Sequence, residues 1–298
     1  MHKKTMALWA RTGCLVAAFF AADVILADEK VDETLSVDPL GTVSIHNPRG
    51  DIEITGWDRD EVRVAGRLDD LAGGLVFRVD GDLTIIRVEL PRSNANWGDG
   101  SELDIRVPRS TTLRVDGLSS DIDVRGVQGE IAVRSVSGDV GVDGIESGAR
   151  IKTVSGDVDV SSGTGRLRVT TTGGNVEIDA SAHDVVVDSI TGDVELELGR
   201  FDLLVANSKS GALDLSGELN SAGQLVANTA NADIDLELQA PVNARIVAVA
   251  LGGGSIDNDV TDDRPRTQDE RYRVLKTVAG DGSGEVKLTT MNGAIEID

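Results

Sequence analysis

Apolar and polar residues alternate along most of this chain, in short runs broken by Gly, Asp and Ser. A period of two with Val and Ile at the repeating positions predicts strands. The helical alternative fails on the same residues, because Gly is too frequent and β-branched side chains dominate. From Leu113 to Leu215 the alternation itself recurs, in RVDGLSSDIDV, VRSVSGDVGV, IKTVSGDVDV, RVTTTGGNVEI and VDSITGDVELEL. The first fixed apolar position of each phrase is an anchor: Val115, Val133, Ile151, Val169, Val187 and Val205, each eighteen residues after the last. Ile122, Val140, Val158, Val176 and Val194 follow the first five anchors by seven residues. A fixed period of this size marks a repeat architecture.

Each period holds two strands joined at a turn such as Ser137-Gly138-Asp139, where Gly admits positive φ and Asp bonds nearby backbone. One coil cannot bury its apolar face alone, but stacked coils can, with each strand paired to its equivalent about 4.8 Å away. The pattern predicts an all-β fold, a parallel β-solenoid (β-helix) with coils of roughly 18–22 residues. A hexapeptide helix of the same coil length needs an aliphatic residue at every sixth position, and Asp139 and its equivalents fail that test. Ser135, Thr153, Thr171, Ser189, Asn207 and Thr229 form an inner column of small polar residues, expected to hydrogen-bond along the stack. Asn47 and Thr290 fall in the same column of the first and last copies. After Val205 the spacing lengthens, and the next expected anchors are Ala227 and Val249.

Residues 28–298 are thus read as a single solenoid domain. Residues 36–112 make a less regular N-terminal β cap with a first repeat at Ile45 and Ile52. Residues 113–256 are the regular coils. Residues 257–284 form a charged insertion read as a loop, and 285–298 return the repeat once at Leu288 and Ile295. End units of repeat proteins are atypical because they close the core against water. Ahead of these, residues 1–27 carry Lys3, Lys4 and Arg11, then an apolar run from Cys14 to Ala22, then Ala27 at a cleavage-like position. That is the pattern of a secretory signal peptide. It predicts an exported protein: periplasmic, envelope-associated or extracellular. Arg11 stands where a lipoprotein signal needs an aliphatic residue, so no lipid anchor is expected at Cys14. Cys14 is the one cysteine, and the exported part therefore relies on no disulfide.

The formal net charge of -22 favours solubility and repels nucleic acid and anionic membrane. The repeated Ser-Gly-Asp-Val phrases, the opening GDIEITGWDRDEVRV and the ELDIRVP segment resemble a bacterial β-strand-repeat family of unknown function labelled "putative adhesin". The resemblance runs from about Val43 to Asp298. It implies a solenoid exposed to the envelope or the exterior and brings no catalytic mechanism. The chain departs from the family pattern at Asn175, Ala212 and Ala232, where the Gly-Asp pair is altered, and in the long charged insertion.

Little points to chemistry. His46 and His183 each stand without a metal-binding neighbour at useful spacing. Ser and Asp recur in every coil, as turn residues do, whereas an active site occurs once. There is no phosphate loop or dinucleotide fingerprint, and no cofactor is expected. The preferred reading is a non-enzymatic solenoid offering an extended surface for binding or adhesion to an envelope or surface protein or a glycan. Two alternatives stand beside it. A polysaccharide-active enzyme would draw on Trp57 and Trp97, although Phe77, Phe201 and Tyr272 are the only other aromatics after residue 27. A divalent-cation binder would use Asp121, Asp139, Asp157 and Asp193, with Asp123, Asp159, Glu177, Glu195 and Asp214 beside them; turn chemistry alone accounts for the first four.

The outward position before each anchor is Arg114, Ala132, Arg150 and Arg168 in the early coils, with Arg134 and Lys152 alongside. In the later coils it becomes Val186, Leu204, Val226 and Ala248. These four are the candidate interaction patch, for a partner or for a second copy, since an outward apolar row marks an interface. The alternative is that Tyr272, Val274 and Leu275 of the insertion cover it.

Overall fold

The structure is a computed structural model that describes residues 30–90, 100–269 and 271–298. The expected signal peptide and Trp97 lie outside the described residues. Every regular element among the described residues is a strand. The fold is all-β, built on long parallel ladders whose equivalent residues sit in register.

One ladder makes the first face. Val115, Val133, Ile151, Val169 and Val187 pair in that order, through strands such as Glu130–Arg134, Gly148–Lys152 and Arg166–Thr170. The other makes the second face, where Ile122, Val140, Val158, Val176 and Val194 pair in order. These residues are all buried, at 1% exposure or less, and fill the space between the faces. The repeat in the sequence is therefore the stacking repeat of the fold. Thr112–Arg125 and Val194–Asn207 run from one face to the other, so the two ladders join into a closed circuit of pairings.

The faces meet at two edges. At the turn edge, Gly156 has φ +122°, and a Cβ there would collide with the carbonyl oxygen of Gly138 in the coil before. Only glycine permits both the backbone conformation and the close stacking of turns. At the far edge the chain gains a residue. Ile178 and Val185 are seven apart, whereas their partners Leu196 and Leu204 are eight apart. Phe201, fully buried, sits at this corner near the place of the buried Ala182.

The extra residue shifts the phase of the next first-face strand, Ala227 keeps its expected inward place, and two other expected anchors are corrected. Val187 pairs with Ala206, not Val205, and the inward residue of the last coil is Ala248, not Val249. Val205 and Val249 face outward, half-buried. The inner polar column shifts likewise: Ser208 is inside and Asn207 outside. The hydroxyls of this column also bond differently from expectation. Ser135, Thr153, Thr171 and Ser189 each donate to the carbonyl two residues ahead in their own turn, at 2.9, 3.2, 2.8 and 3.1 Å, instead of along the stack.

Both ends use antiparallel strands. At the N-terminal end Lys30–Ser36 pairs antiparallel with Glu61–Arg67, and Gly74–Asp80 with Leu83–Glu89. The ion pair of Arg49 and Asp69, 2.9 Å long, is almost wholly buried there. The second Asp69 oxygen accepts the Leu71 N–H at 2.7 Å. A buried charge so satisfied is costly to break.

At the C-terminal end, chain order and spatial order differ. Gly284–Thr290 lies between Leu213–Thr229 and Ala244–Ala250, parallel to both. On the second face Ile234–Leu238 pairs with Ile295–Ile297, and Ile256 bridges to Ile295 beyond it. The last repeat of the chain is thus one place in from the end. The charged insertion is not a plain loop. It contains strands Arg266–Asp269 and Tyr272–Ala279, and the latter pairs antiparallel with Ala244–Ala250. Buried Asn258 ties the insertion together, donating to the Thr261 and Asp263 carbonyls at 2.9 and 3.0 Å.

Candidate binding surfaces

The Asp column at the turn edge bonds from coil to coil. Asp121 Oδ1 accepts the N–H of Asp139 at 2.9 Å, Asp139 that of Asp157 at 2.8 Å, and Asp157 that of Asn175 at 2.7 Å. Asn175 then accepts from Asp193 at 3.1 Å, and Asp193 from Ala212 at 2.9 Å. Asp233 and Ala294 repeat the contact at 2.6 Å. The carboxylates serve as acceptors for donors that the turns would otherwise leave unpaired. Asn175 keeps the bond, because its amide oxygen accepts equally. Ala212 donates into the column and passes nothing on. Among the described residues no group of three or more His, Cys, Asp or Glu is placed to hold a metal ion.

Next to this column stands an apolar ridge that the sequence pattern did not single out. The tip residues of successive turns are Leu118, Val136, Val154, Thr172, Ile190, Lys209, Ala230 and Met291, tied rung to rung through their carbonyls. Leu118, Val136, Val154, Ile190 and Met291 are 49%, 44%, 50%, 46% and 52% exposed. The signal was present in the second residue of S-V-S-G-D, T-V-S-G-D and S-I-T-G-D, where a turn has no need of an aliphatic side chain.

The first face carries the candidate patch, in altered form. Val186 and Val226 do face outward, but Leu204 and Ala248 are wholly buried in the core. The extra residue at the far edge puts Leu204 there, and a spacing from Ala227 one residue shorter than expected puts Ala248 there. The outward row runs Arg114, Ala132, Arg150, Arg168, Val186, Val205, Val226, Lys287 and Val247. The insertion does not cover it. Tyr272–Ala279 extends the sheet beyond Ala244–Ala250 and buries Leu275 in doing so. At the basic end Ala132 floors a groove of about 580 Å³ walled by arginines.

The second face is acidic. Its outward row is Asp123, Gly141, Asp159, Glu177, Glu195, Asp214, Asp235 and Glu296. Crowding shows at its C-terminal end. Burial, then the charges of Asp214, Asp298 and Glu237, push the Asp235 carboxyl above the usual carboxylate range. Asp235 and Asp298, then partial burial, then Asp257 and Asp259, do the same to Glu296.

The isolated residues weighed for chemistry are not brought together. His46 is exposed on the first face, in register with Asp116, and His183 at the far edge has Nδ1 3.1 Å from the Arg200 carbonyl. Trp57 is engaged locally, its indole N–H donating to the Glu61 carbonyl at 2.7 Å and its ring lying under the Arg59 guanidinium, 5.0 Å away.

A family model described as Toastrack DUF4097 matches the chain twice, over residues 34–164 and 162–298. The two matches meet in mid-stack, where the pairing of Gly148–Lys152 with Arg166–Thr170 continues without a break. No curated protein matches the chain. Solved structures that the chain matches include a putative cell adhesion protein from Clostridium sporogenes, 10% identical, TM-score 0.20, covering 90% of this chain and 99% of that one. A putative adhesin from Parabacteroides merdae is 8% identical, TM-score 0.30, covering 93% and 100%. One from Parabacteroides distasonis is 12% identical, TM-score 0.28, covering 91% and 98%.

Proposed function

We propose, for a chain that belongs to the Toastrack DUF4097 family, the role of an exported, non-enzymatic solenoid that holds a rigid binding surface toward an envelope or surface partner. One observation carries this reading: the apolar ridge of Leu118, Val136, Val154, Ile190 and Met291 along the turn edge. Leu118, Val136 and Val154 stand on three successive rungs and serve no core, with Ile190 and Met291 further along the same edge, and an outward apolar row marks an interaction site. Their backbones are locked by the glycine turns and the Asp column, so binding costs little ordering of the surface. The valine row of the first face, Val186, Val205 and Val226, is a second contact strip, open to a partner or a second copy.

The antiparallel strands at the two ends act as caps in this reading, and the coils between them set the length of the surface. The test is retention of envelope components on the immobilised protein, compared with the double variant Val136→Asp, Val154→Asp. Retention by the native chain and loss by the folded variant is the expected result. Equal retention by both, fractionation of the native protein with cytoplasm, or turnover of a polysaccharide abolished by a single carboxylate substitution would each overturn it.

A further inference from the structure

The arginine groove on the first face stands apart from the apolar ridge and has a chemistry of its own. Arg114, Arg134, Arg150, Arg166 and Arg168 outnumber the carboxylates Asp116 and Glu130 around Ala132, which is the one small residue in the outward row from Arg114 to Arg168. Arg134 leans to Asp116 at 3.8 Å and Arg166 to Asp184 at 3.1 Å. Arg114, Arg150 and Arg168 are exposed and have no ion-pair partner among the described residues. On a chain of net charge -22, three unpaired guanidinium groups on one flat face mark a place where negative charge is wanted from outside.

We infer that this groove binds a linear acidic polysaccharide, a chain of uronate-type sugars laid along the solenoid axis. The inference rests on the binding reading above only in taking the protein as exported. Stacked strands set the guanidinium groups at multiples of a rung, about 4.8 Å. Arg150 and Arg168 are one rung apart, and Arg114 and Arg150 are two rungs apart across Ala132. An acidic polysaccharide presents carboxylates repeatedly along its length, and the guanidinium groups offer it repeated partners along one line. Guanidinium forks pair with carboxylates in two parallel hydrogen bonds. The shallow floor over Ala132 leaves room for a sugar ring between the two arms.

Charge density decides against nucleic acid. Duplex DNA presents a charge every ≈1.7 Å, far denser than guanidinium groups one or two rungs apart can match. Single strands are held by base stacking on aromatic side chains, and no aromatic residue lines the groove. A uronate polymer carries at most one charge per sugar and needs no stacking platform where ion pairs hold it.

The experiment titrates the purified protein with polygalacturonate and with the same polymer fully methyl-esterified, by calorimetry at two salt concentrations. Binding of the acid form, weakened by salt and absent for the ester, is expected. Arg150→Glu, Arg168→Glu should lower affinity at least about tenfold while the circular dichroism stays unchanged. Ala132→Trp fills the groove floor without altering charge and should weaken binding as well. Arg125→Glu, on the opposite face, should not. Equal binding of the ester, no effect of either groove variant, or tighter binding of single-stranded nucleic acid than of the polymer would overturn the inference. So would sedimentation showing that the double charge reversal instead dissolves a salt-sensitive dimer, since the groove would then belong to a second copy. If envelope components are retained through the ridge while polygalacturonate is ignored, the binding reading stands and this inference alone falls.

Discussion

Asp157 Oδ1 accepts the backbone N–H of Asn175 at 2.7 Å, one rung away in the stack. The pair shows what the turn Asp is for: it supplies an acceptor to the next coil, and an amide oxygen does as well as a carboxylate. Asp157→Asn should therefore leave stability within about 0.5 kcal/mol of native. Asp157→Ala should lower it by about 1 kcal/mol, because the Asn175 N–H loses its partner at a partly hydrated edge. Urea denaturation of the two variants separates these outcomes. A loss with Asn as large as with Ala would mean that charge, not the hydrogen bond, matters at this position.

Ile151 is a fully buried residue in the middle of the first-face ladder, paired with Val133 and Val169. Ile151→Asp places an unpaired charge between the faces, at a cost of roughly 4 kcal/mol or more. The expected result is loss of the cooperative thermal transition, followed by circular dichroism. A variant melting within a few degrees of native would contradict the interior position.

Leu204 and Val205 test the phase shift directly. Leu204 is fully buried and Val205 faces outward. Leu204→Lys should cost more than about 3 kcal/mol, combining lost apolar volume with a buried ammonium. Val205→Lys should stay within about 0.5 kcal/mol of native, as surface changes do. Chemical denaturation of the pair suffices, and the reverse ordering would restore the uninterrupted eighteen-residue phase.

The acidic end of the second face gives the protein a pH dependence of unusual sign. The carboxyls of Asp235 and Glu296 titrate above their ordinary values in the folded state. The folded state then binds more protons than the unfolded one across that interval, so these groups lower stability as pH rises through it. Their penalty is fully present at neutral pH and is relieved as pH falls through the raised folded values. Asp235→Asn should raise the melting temperature at pH 7, and the gain should shrink toward pH 4. A gain that is constant with pH would show that packing, not ionisation, is responsible.

Much of the fold was legible because the repeat states it directly: one phrase, one coil, with β-branched residues at fixed places. Val133 to Val187 and Ile122 to Val194 needed nothing beyond spacing. The reading slipped where the repeat changed length. One extra residue around Phe201 inverts the inside and outside of the strand from Leu203 to Asn207, and alternation in LLVAN fits either phase. Leu204 is inward for that reason, whereas Ala248 is inward because it follows Ala227 by one residue fewer than the expected spacing. The ridge at Val136 and Val154 went unread because a single aliphatic residue inside a turn carries no periodicity of its own. It becomes visible only when turns are stacked. The position of residues 284–298 had no local signal, since Val286 and Leu288 fit between Leu225 and Ile246 as well as they would at the end.

That interposed segment sets a limit on how the molecule can be made. Residues 244–259 leave the ribosome before 284–298, and Ile246 then meets Leu225 with nothing yet between them. Winding from the amino end can proceed only to Leu238 before residues 284–298 are required to continue the stack. A stop codon near residue 280 would yield a chain with a missing middle layer, not one that is merely a layer shorter.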